Sequence, residues 1–226
     1  MRNKSLRNGV VWKMFTTDRN KMVSTRMGYY PTIHSLFSMI PRETREHMER
    51  VGRYSQIIFE QLSKENPELV EKEFGNRFAK FSEDIFKYHD IGRIYIPFAV
   101  LNKVEKLTDE EFQLIKDHAV NAIPAMDSIY KKPFPHDLMI QMFNVAVYHH
   151  ERWDGRGYPV GKSGEEIPLG GRLCAIADTY DGITSWKPYK KKQTTKDEAV
   201  AIIENDAGKQ FDPYMVEIFK NSVDRI

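Results

Sequence analysis

Histidines stand at positions 34, 47, 89, 118, 136, 149 and 150 of this 226-residue chain, and five of them sit at or near the ends of predicted helices. Hydrophobic packing does not require those separations. His89-Asp90 is followed at once by Ile91-Gly92, which is expected to break the helix and to let another group approach closely. His149-His150 is a second adjacent pair; neighbours on a helix point about 100° apart, so both reach one centre only near a helix end, or else serve two metals. Asp178 falls in an otherwise apolar stretch, where a carboxylate is costly unless paired or metal-bound. A lone buried histidine is more often a hydrogen-bonded core residue than a ligand. The ordered set is what points to a metal-binding cluster.

Helices must position these side chains. Residues 42–64 place Met48, Val51, Ile58 and Leu62 at three- and four-residue steps, the spacing of one buried face. Residues 76–88 repeat the pattern through Phe78, Phe81, Ile85 and Phe86. Thr108-Asp109-Glu110-Glu111 is a capping box opening a helix towards His118. Residues 136–150 give another helix through Leu138, Met142, Val145 and Val147, and residues 169–186 read as a long apolar one. Thr195-Lys196-Asp197-Glu198 is a second capping box, with Gly208 placed to end its helix. Asp212-Pro213 starts the last, with Asp as N-cap and Pro at the first position. Strand signals are scarce. Five glycines and two prolines lie between Arg152 and Gly171, so that region is a loop, ordered or mobile. The expected fold class is all-α, a helical bundle carrying one long loop.

Composition bounds the function. With 41% hydrophobic and 29% charged residues, the chain suits one globular domain with a sizeable core and a short extension. The single Cys174 excludes an intrachain disulfide, fits a reducing compartment, and lies in apolar surroundings as an inert core residue. No apolar run approaches the ~20 residues needed to span a bilayer. Val10-Val11-Trp12 is too short for a signal-peptide core, so the cytoplasm is the expected compartment. Residues 1–32 hold seven Lys/Arg against Asp18, a net of +6, which leaves −4 on residues 33–226 out of the total of +2. The basic head reads as an N-terminal extension or linker ahead of a domain over 33–226. A mildly acidic body does not look like a nucleic-acid-binding surface. If the domain handles an anion, something other than net charge must hold it.

Taken in order, His47, His89-Asp90-Ile91-Gly92, His118, the string His149-His150-Glu151-Arg152-Trp153-Asp154-Gly155-Arg156-Gly157-Tyr158-Pro159, and Asp178 closely resemble the HD-GYP family. These are bacterial phosphodiesterases of cyclic dinucleotides, a branch of the HD hydrolase superfamily. Ile96-Pro97, Lys106-Leu107-Thr108, Ile167-Pro168 and Ala177-Asp178-Thr179-Tyr180-Asp181 agree with it as flanking pieces. The resemblance covers roughly residues 43–220 and implies an HD-domain helical bundle whose long loop carries Gly157-Tyr158-Pro159.

The resemblance also implies roles. Residues matching His47, His89, Asp90, His118, His149, His150 and Asp178 hold two or three metal ions in the family, with the carboxylate of Asp90 bridging two. Mixed imidazole and carboxylate ligation suits Fe or Mn first, with Zn or Ni as alternatives, rather than Mg. Two ions roughly 3.5–4 Å apart can share a hydroxide as nucleophile and clamp both the attacking and the leaving oxygen. Glu43 lies four residues before His47 on the same helix face, the spacing of an extra ligand in three-metal members. Lys187 and Lys190 resemble the family's phosphate-contacting pair, although Lys187 replaces an arginine and loses its bidentate fork. Arg93 stands where the family has a catalytic or phosphate-binding lysine. Arginine can neutralise phosphate, but its pKa above about 12 makes it a poor proton donor. Gly157, Tyr158 and Pro159 shape the rim of the site and offer contact to a signalling-protein partner, while Asp154 and Asp181 orient histidines or loop amides. His34 and His136 match no motif position and are expected to be structural or surface residues.

The implied activity is hydrolysis of a cyclic dinucleotide, cyclic di-GMP first, to the linear dinucleotide and on to GMP. Nothing reads guanine directly, so a mixed GMP–AMP cyclic dinucleotide stays open. A nucleotidohydrolase acting on mononucleotides is one alternative, opposed by the Gly-Tyr-Pro loop and the two late lysines. A catalytically weak signalling or scaffold module is another, opposed by the full ligand set but kept open by Arg93 and Lys187. Sensory or receiver domains commonly precede this family's domains, so the chain reads as free-standing or as a fragment.

Overall fold

The computed structural model describes residues 31–129, 133–185 and 193–226; most of the 1–32 extension, with Lys187 and Lys190, lies outside them. Thr32 and Ser35 form a capping box that starts helix α1 (Ile33–Met39). Helix α2 (Arg42–Glu65) follows, and Met48, Val51, Ile58 and Leu62 are buried on one face, as their spacing predicts. Asn66 caps α3 (Pro67–Phe74), whose proline occupies the first position.

The helix expected over 76–88 is not continuous. A 3-10 turn (Phe78–Phe81) leads into α4 (Ser82–Lys87), and a second 3-10 segment (Tyr88–Tyr95) carries His89 and Asp90. Phe81, at φ −121° and ψ 6°, breaks the path. The break lets Phe78 pack among Phe59, Phe74 and Phe86, with ring centroids 5.0, 4.4 and 5.7 Å away. Burial of one such ring is worth about 1.5–3 kcal/mol, more than the few tenths per residue at stake in local helix propensity.

The chain continues through α5 (Phe98–Leu101), α6 (Asp109–Lys116), α7 (His118–Asp127), α8 (His136–Tyr148), α9 (Leu169–Thr184), α10 (Lys196–Asn205) and α11 (Pro213–Lys220). Both predicted capping boxes, Thr108 with Glu111 and Thr195 with Glu198, start their helices. Asp212 caps α11 by accepting from the Tyr214 amide. Helix α10 ends at Asn205, so Gly208 does not cap it; at φ +77° it turns the chain so that its amide reaches the Phe211 carbonyl. Among the described residues there is no strand, only an isolated bridge between Ala207 and Phe211. The fold is all-α.

Helix α2 packs on α4 and α9, α9 on α8, and the Tyr88–Tyr95 segment on α7. Cys174 is fully buried in α9 within this core. Among the described residues no helix is long and apolar enough to cross a membrane.

Candidate metal centre

The residues singled out by their chemistry come from five places. His47 lies in the second turn of α2, His89 and Asp90 in the 3-10 segment, and His118 at the first position of α7. His149 is the C-cap of α8, with His150 beside it in the following turn, and Asp178 sits midway along α9. The helix before His89 ends at Lys87, so Gly92 is not the breaker. Its role is the close approach: a Cβ there would stand 2.0 Å from the His118 carbonyl oxygen and 2.5 Å from the Ala122 amide nitrogen. Absence of that side chain lets α7 press its first turn, with His118, against Asp90.

The ligand-capable atoms fall into two groups, each within 4.8 Å: Asp90, His118, His149 and His150, and separately His47, His89 and Asp178. Asp90 joins them. Its Oδ1 lies 3.0 Å from His118 Nε2 and 3.7 Å from His149 Nε2, while Oδ2 lies 3.5 Å from His89 Nε2 and 3.8 Å from His47 Nε2. The adjacent histidines 149 and 150 reach one centre because the helix stops between them.

Hydrogen bonding fixes which atoms face inward. His89 Nδ1 donates to the Phe86 carbonyl, His118 Nδ1 to that of Ile115, and His149 Nδ1 to that of Ala146. A carbonyl only accepts, so these Nδ1 atoms carry protons and the Nε2 atoms are the ones turned to the centre of the cluster. His118 Nε2 and His149 Nε2 stand 3.4 Å apart, and His118 Nε2 is 3.0 Å from a carboxylate oxygen. Imidazole nitrogens and carboxylate oxygens thus converge on one space. His89 Nε2 and both Asp90 oxygens are buried without a hydrogen-bond partner, although Arg93 Nε lies 2.6 Å from Oδ2 off the hydrogen-bonding direction. Buried atoms of this kind are costly unless satisfied. Divalent cations satisfy them, and the donor set of imidazoles and carboxylates fits such ions.

Electrostatics agree. Burial pushes His89 down to about 4 and His150 well below the usual histidine range, which keeps both rings neutral as ligands require. At His47 burial acts downward but is outweighed by Asp178 and Asp181, and its pKa rises to about 9. Burial alone would raise Asp90 and Asp178; Arg93 and the histidines hold Asp90 well below the usual carboxylate range, and His47 does the same for Asp178.

Surrounding residues brace the cluster. Asp181 accepts from His47 Nδ1 at 2.7 Å and from Arg50, while Asp154 is held by Arg152 and accepts from the Arg156 amide. The first thus touches a histidine of the cluster and the second a loop amide. The loop after His150 is ordered by Glu151, which the spacing argument passed over. Its buried carboxylate accepts the amides of Val160, Gly161 and Lys162 at 2.7–3.1 Å. Gly157 is pressed on the chain, since a Cβ there would lie 2.4 Å from the Arg152 amide nitrogen. Tyr158, joined to Pro159 by a cis peptide, stacks on His150 with ring centroids 4.8 Å apart. The Lys116 ammonium lies over the Tyr158 ring at 5.5 Å. Glu43 is exposed in the first turn of α2 and belongs to neither ligand group; His34 and His136 are exposed, away from both. Glu151 and Arg50 were legible as buried or paired only once their partners, far along the chain, were in place.

Comparison with known proteins finds similar chains. The chain is 34% identical over 203 residues to a cyclic di-GMP phosphodiesterase of Vibrio cholerae, covering 89% of this chain and 40% of that protein. It is 36% identical over 178 residues to a cyclic di-GMP phosphodiesterase of Thermotoga maritima, covering 78% of this chain and 44% of that one. The chain thus spans less than half the length of these relatives. A crystal structure of a cyclic GMP-AMP specific phosphodiesterase of V. cholerae shares the fold, with a TM-score of 0.50 and 21% identity over 85% of this chain and 47% of that one. The model of the HD domain matches residues 84–215, from α4 to α11, a span that holds every residue of the two groups except His47, and this chain therefore belongs to the HD-domain family.

Proposed function

We propose that the domain over 33–226 is a metal-dependent phosphodiesterase of a cyclic dinucleotide, with cyclic di-GMP as the first candidate. The observation that carries this reading is the Asp90 carboxylate, turned with one oxygen to His118 and His149 and the other to His89 and His47. His47, His89 and Asp178 would hold one ion, His118, His149 and His150 another, and Asp90 would serve both. Fe or Mn suits this ligand set best, with Zn or Ni as alternatives. Ions bound there supply charge neutralisation of a phosphodiester and an activated water. Glu43 would serve a third, outer ion.

The chain's own groups then do the rest. Arg93, already beside Asp90, offers a fixed positive charge to the incoming phosphate. Lys187 and Lys190 would add charge from outside the described residues. Tyr158, backed by His150, makes a wall that excludes water from one side of the cluster, and its loop would be the contact for a signalling-protein partner. The names of the relatives support a cyclic dinucleotide over a mononucleotide; they include both cyclic di-GMP and 3'3'-cGAMP enzymes, so the two are to be compared directly. The expected compartment is the cytoplasm.

The test is to purify the protein with Mn or Fe under low oxygen, count ions per chain, and separate products after incubation with cyclic di-GMP, 3'3'-cGAMP and mononucleotides. Two or three ions and a linear dinucleotide product are expected. Asp90→Ala should lose metal and turnover together. Bound metal with no turnover of any cyclic dinucleotide would replace this reading with a scaffold, and turnover of mononucleotides alone with a nucleotidohydrolase.

A further inference from the structure

We infer that Arg50 is a positioning residue that sets the affinity of one metal subsite, that of His47, His89 and Asp178, and not of the other. The inference rests on the metal-centre reading above. The imidazoles of the cluster are not held alike. His89, His118 and His149 each fix their ring by donating Nδ1–H to a carbonyl three residues earlier in their own chain turn. That acceptor is backbone and comes with the fold. His47 alone among these four donates to a side chain, Asp181, 134 residues away.

A side-chain acceptor must itself be oriented. Arg50 does this with a fork: Nε is 2.6 Å from Asp181 Oδ1 and Nη2 is 3.0 Å from Oδ2. Arg50 Nη2 also donates to Ser185 Oγ, which in turn reaches Asp181 Oδ2 at 3.1 Å. The spacing makes this a second rung between two helices. His47 and Arg50 are three residues apart on α2, and Asp178 and Asp181 three apart on α9, so each pair shares a helix face. The upper rung is His47 Nε2 with Asp178 Oδ1 at 3.1 Å, and the lower is Arg50 with Asp181. Without the guanidinium, Asp181 is a buried carboxylate that loses its two-pronged partner and keeps only Ser185 Oγ and His47 itself to hold its rotamer. His47 then loses both the direction of its ring and the tautomer that presents Nε2.

Loss of such an outer partner typically weakens metal binding 10–100-fold. Arg50→Ala is therefore expected to weaken one Mn2+ site by about that factor, leaving the His118–His149–His150 site within about threefold of wild type. Arg50→Lys keeps the charge without the fork and should fall between. The measurement is equilibrium dialysis of full-length, metal-stripped protein against Mn2+, with electron paramagnetic resonance of the bound ions and circular dichroism of each apoprotein. Wild type should hold a coupled Mn2+ pair. The Ala variant should hold one tight, uncoupled Mn2+ at concentrations that saturate wild type. Asp181→Asn, which keeps size and an acceptor, should repeat that one-site loss if Arg50→Ala fails to fold. Both sites retained at wild-type affinity in the variants, or both weakened together in step with apoprotein stability, would overturn the inference. A wild-type protein that binds no Mn2+ would overturn the metal-centre reading, and this inference with it.

Discussion

Arg93 places its Nε 2.6 Å from Oδ2 of Asp90, the oxygen that also faces His47 and His89. A guanidinium in that position neutralises a buried carboxylate when no ion does. Removing one partner of a buried pair costs about 3–5 kcal/mol, and Arg93 is about a quarter exposed, so a loss of about 2 kcal/mol is expected for metal-free Arg93→Met. Saturating metal should shrink that loss, because ions then neutralise Asp90. Thermal unfolding with and without Mn2+ checks this; an equal loss in both states would mean that Arg93 and metal do not share Asp90. Arg93→Lys puts a group that can release a proton at the same position, and kcat for a cyclic dinucleotide is expected to rise about tenfold or more.

His47 makes metal loading depend on pH. Its pKa is raised to about 9 because Asp178 and Asp181 outweigh burial. The sign follows from the ordinary value of 6.5. In the metal-free protein the imidazolium contributes stability that is fully present below pH 6.5 and is lost as pH rises through about 9. A metal ion needs the neutral ring and must displace that proton. Affinity should therefore climb by up to about tenfold per unit between pH 7 and pH 9, with about one proton released per chain at pH 7 from this residue. Calorimetric titration with Mn2+ in buffers of different ionisation enthalpy measures the release; none at pH 7 would contradict the assignment of His47 as a ligand.

The sequence made the inward-facing groups readable because their types are chemical oddities in an apolar, helical setting. Asp178 inside α9 and His149-His150 at the end of α8 stand out before any contact is known. Periodicity also served α2 well, since one face of a long helix is buried all along. It failed over 76–88, where four clustered phenylalanines pack better across a broken path than along one helix. It was equally blind to Arg50 and Glu151. Each owes its role to partners across a turn or a neighbouring helix, and neither breaks a local pattern. Glu43 lies in the exposed first turn of α2, where an outer ion would reach it from solvent, and its assignment rests on its spacing to His47.

Glu151 should govern the loop rather than the ions. Three amides converge on its buried carboxylate, and leaving even one or two unpaired costs about 1–3 kcal/mol each. Glu151→Ala is expected to lower stability by about 3 kcal/mol and to expose residues 152–168 to proteolysis. Tyr158 would then lose its stack on His150, raising KM more than it lowers the number of bound ions. Limited digestion with metal counting checks both; a protected loop in the variant would show that Glu151 is not its clamp.

Gly92 and Gly182 make opposite predictions from the same substitution. At Gly92 an added methyl would stand 2.0 Å from the His118 carbonyl oxygen and 2.5 Å from the Ala122 amide nitrogen, both backbone atoms that cannot swing aside. Gly92→Ala must separate α7 from the Tyr88–Tyr95 segment, and with it His118 from Asp90. A loss of more than about 3 kcal/mol is expected, with reduced metal content in whatever folds. At Gly182, in the last turns of α9, a Cβ meets no atom of the described residues within 4 Å. There alanine restricts the unfolded chain and favours the helix without pressing on a described backbone atom, for an expected gain of about 0.4–1 kcal/mol and unchanged metal content. Denaturant unfolding of both variants, with metal counted per chain, decides it. A tolerated Gly92→Ala would mean that Asp90 and His118 do not depend on this backbone contact for their 3.0 Å approach.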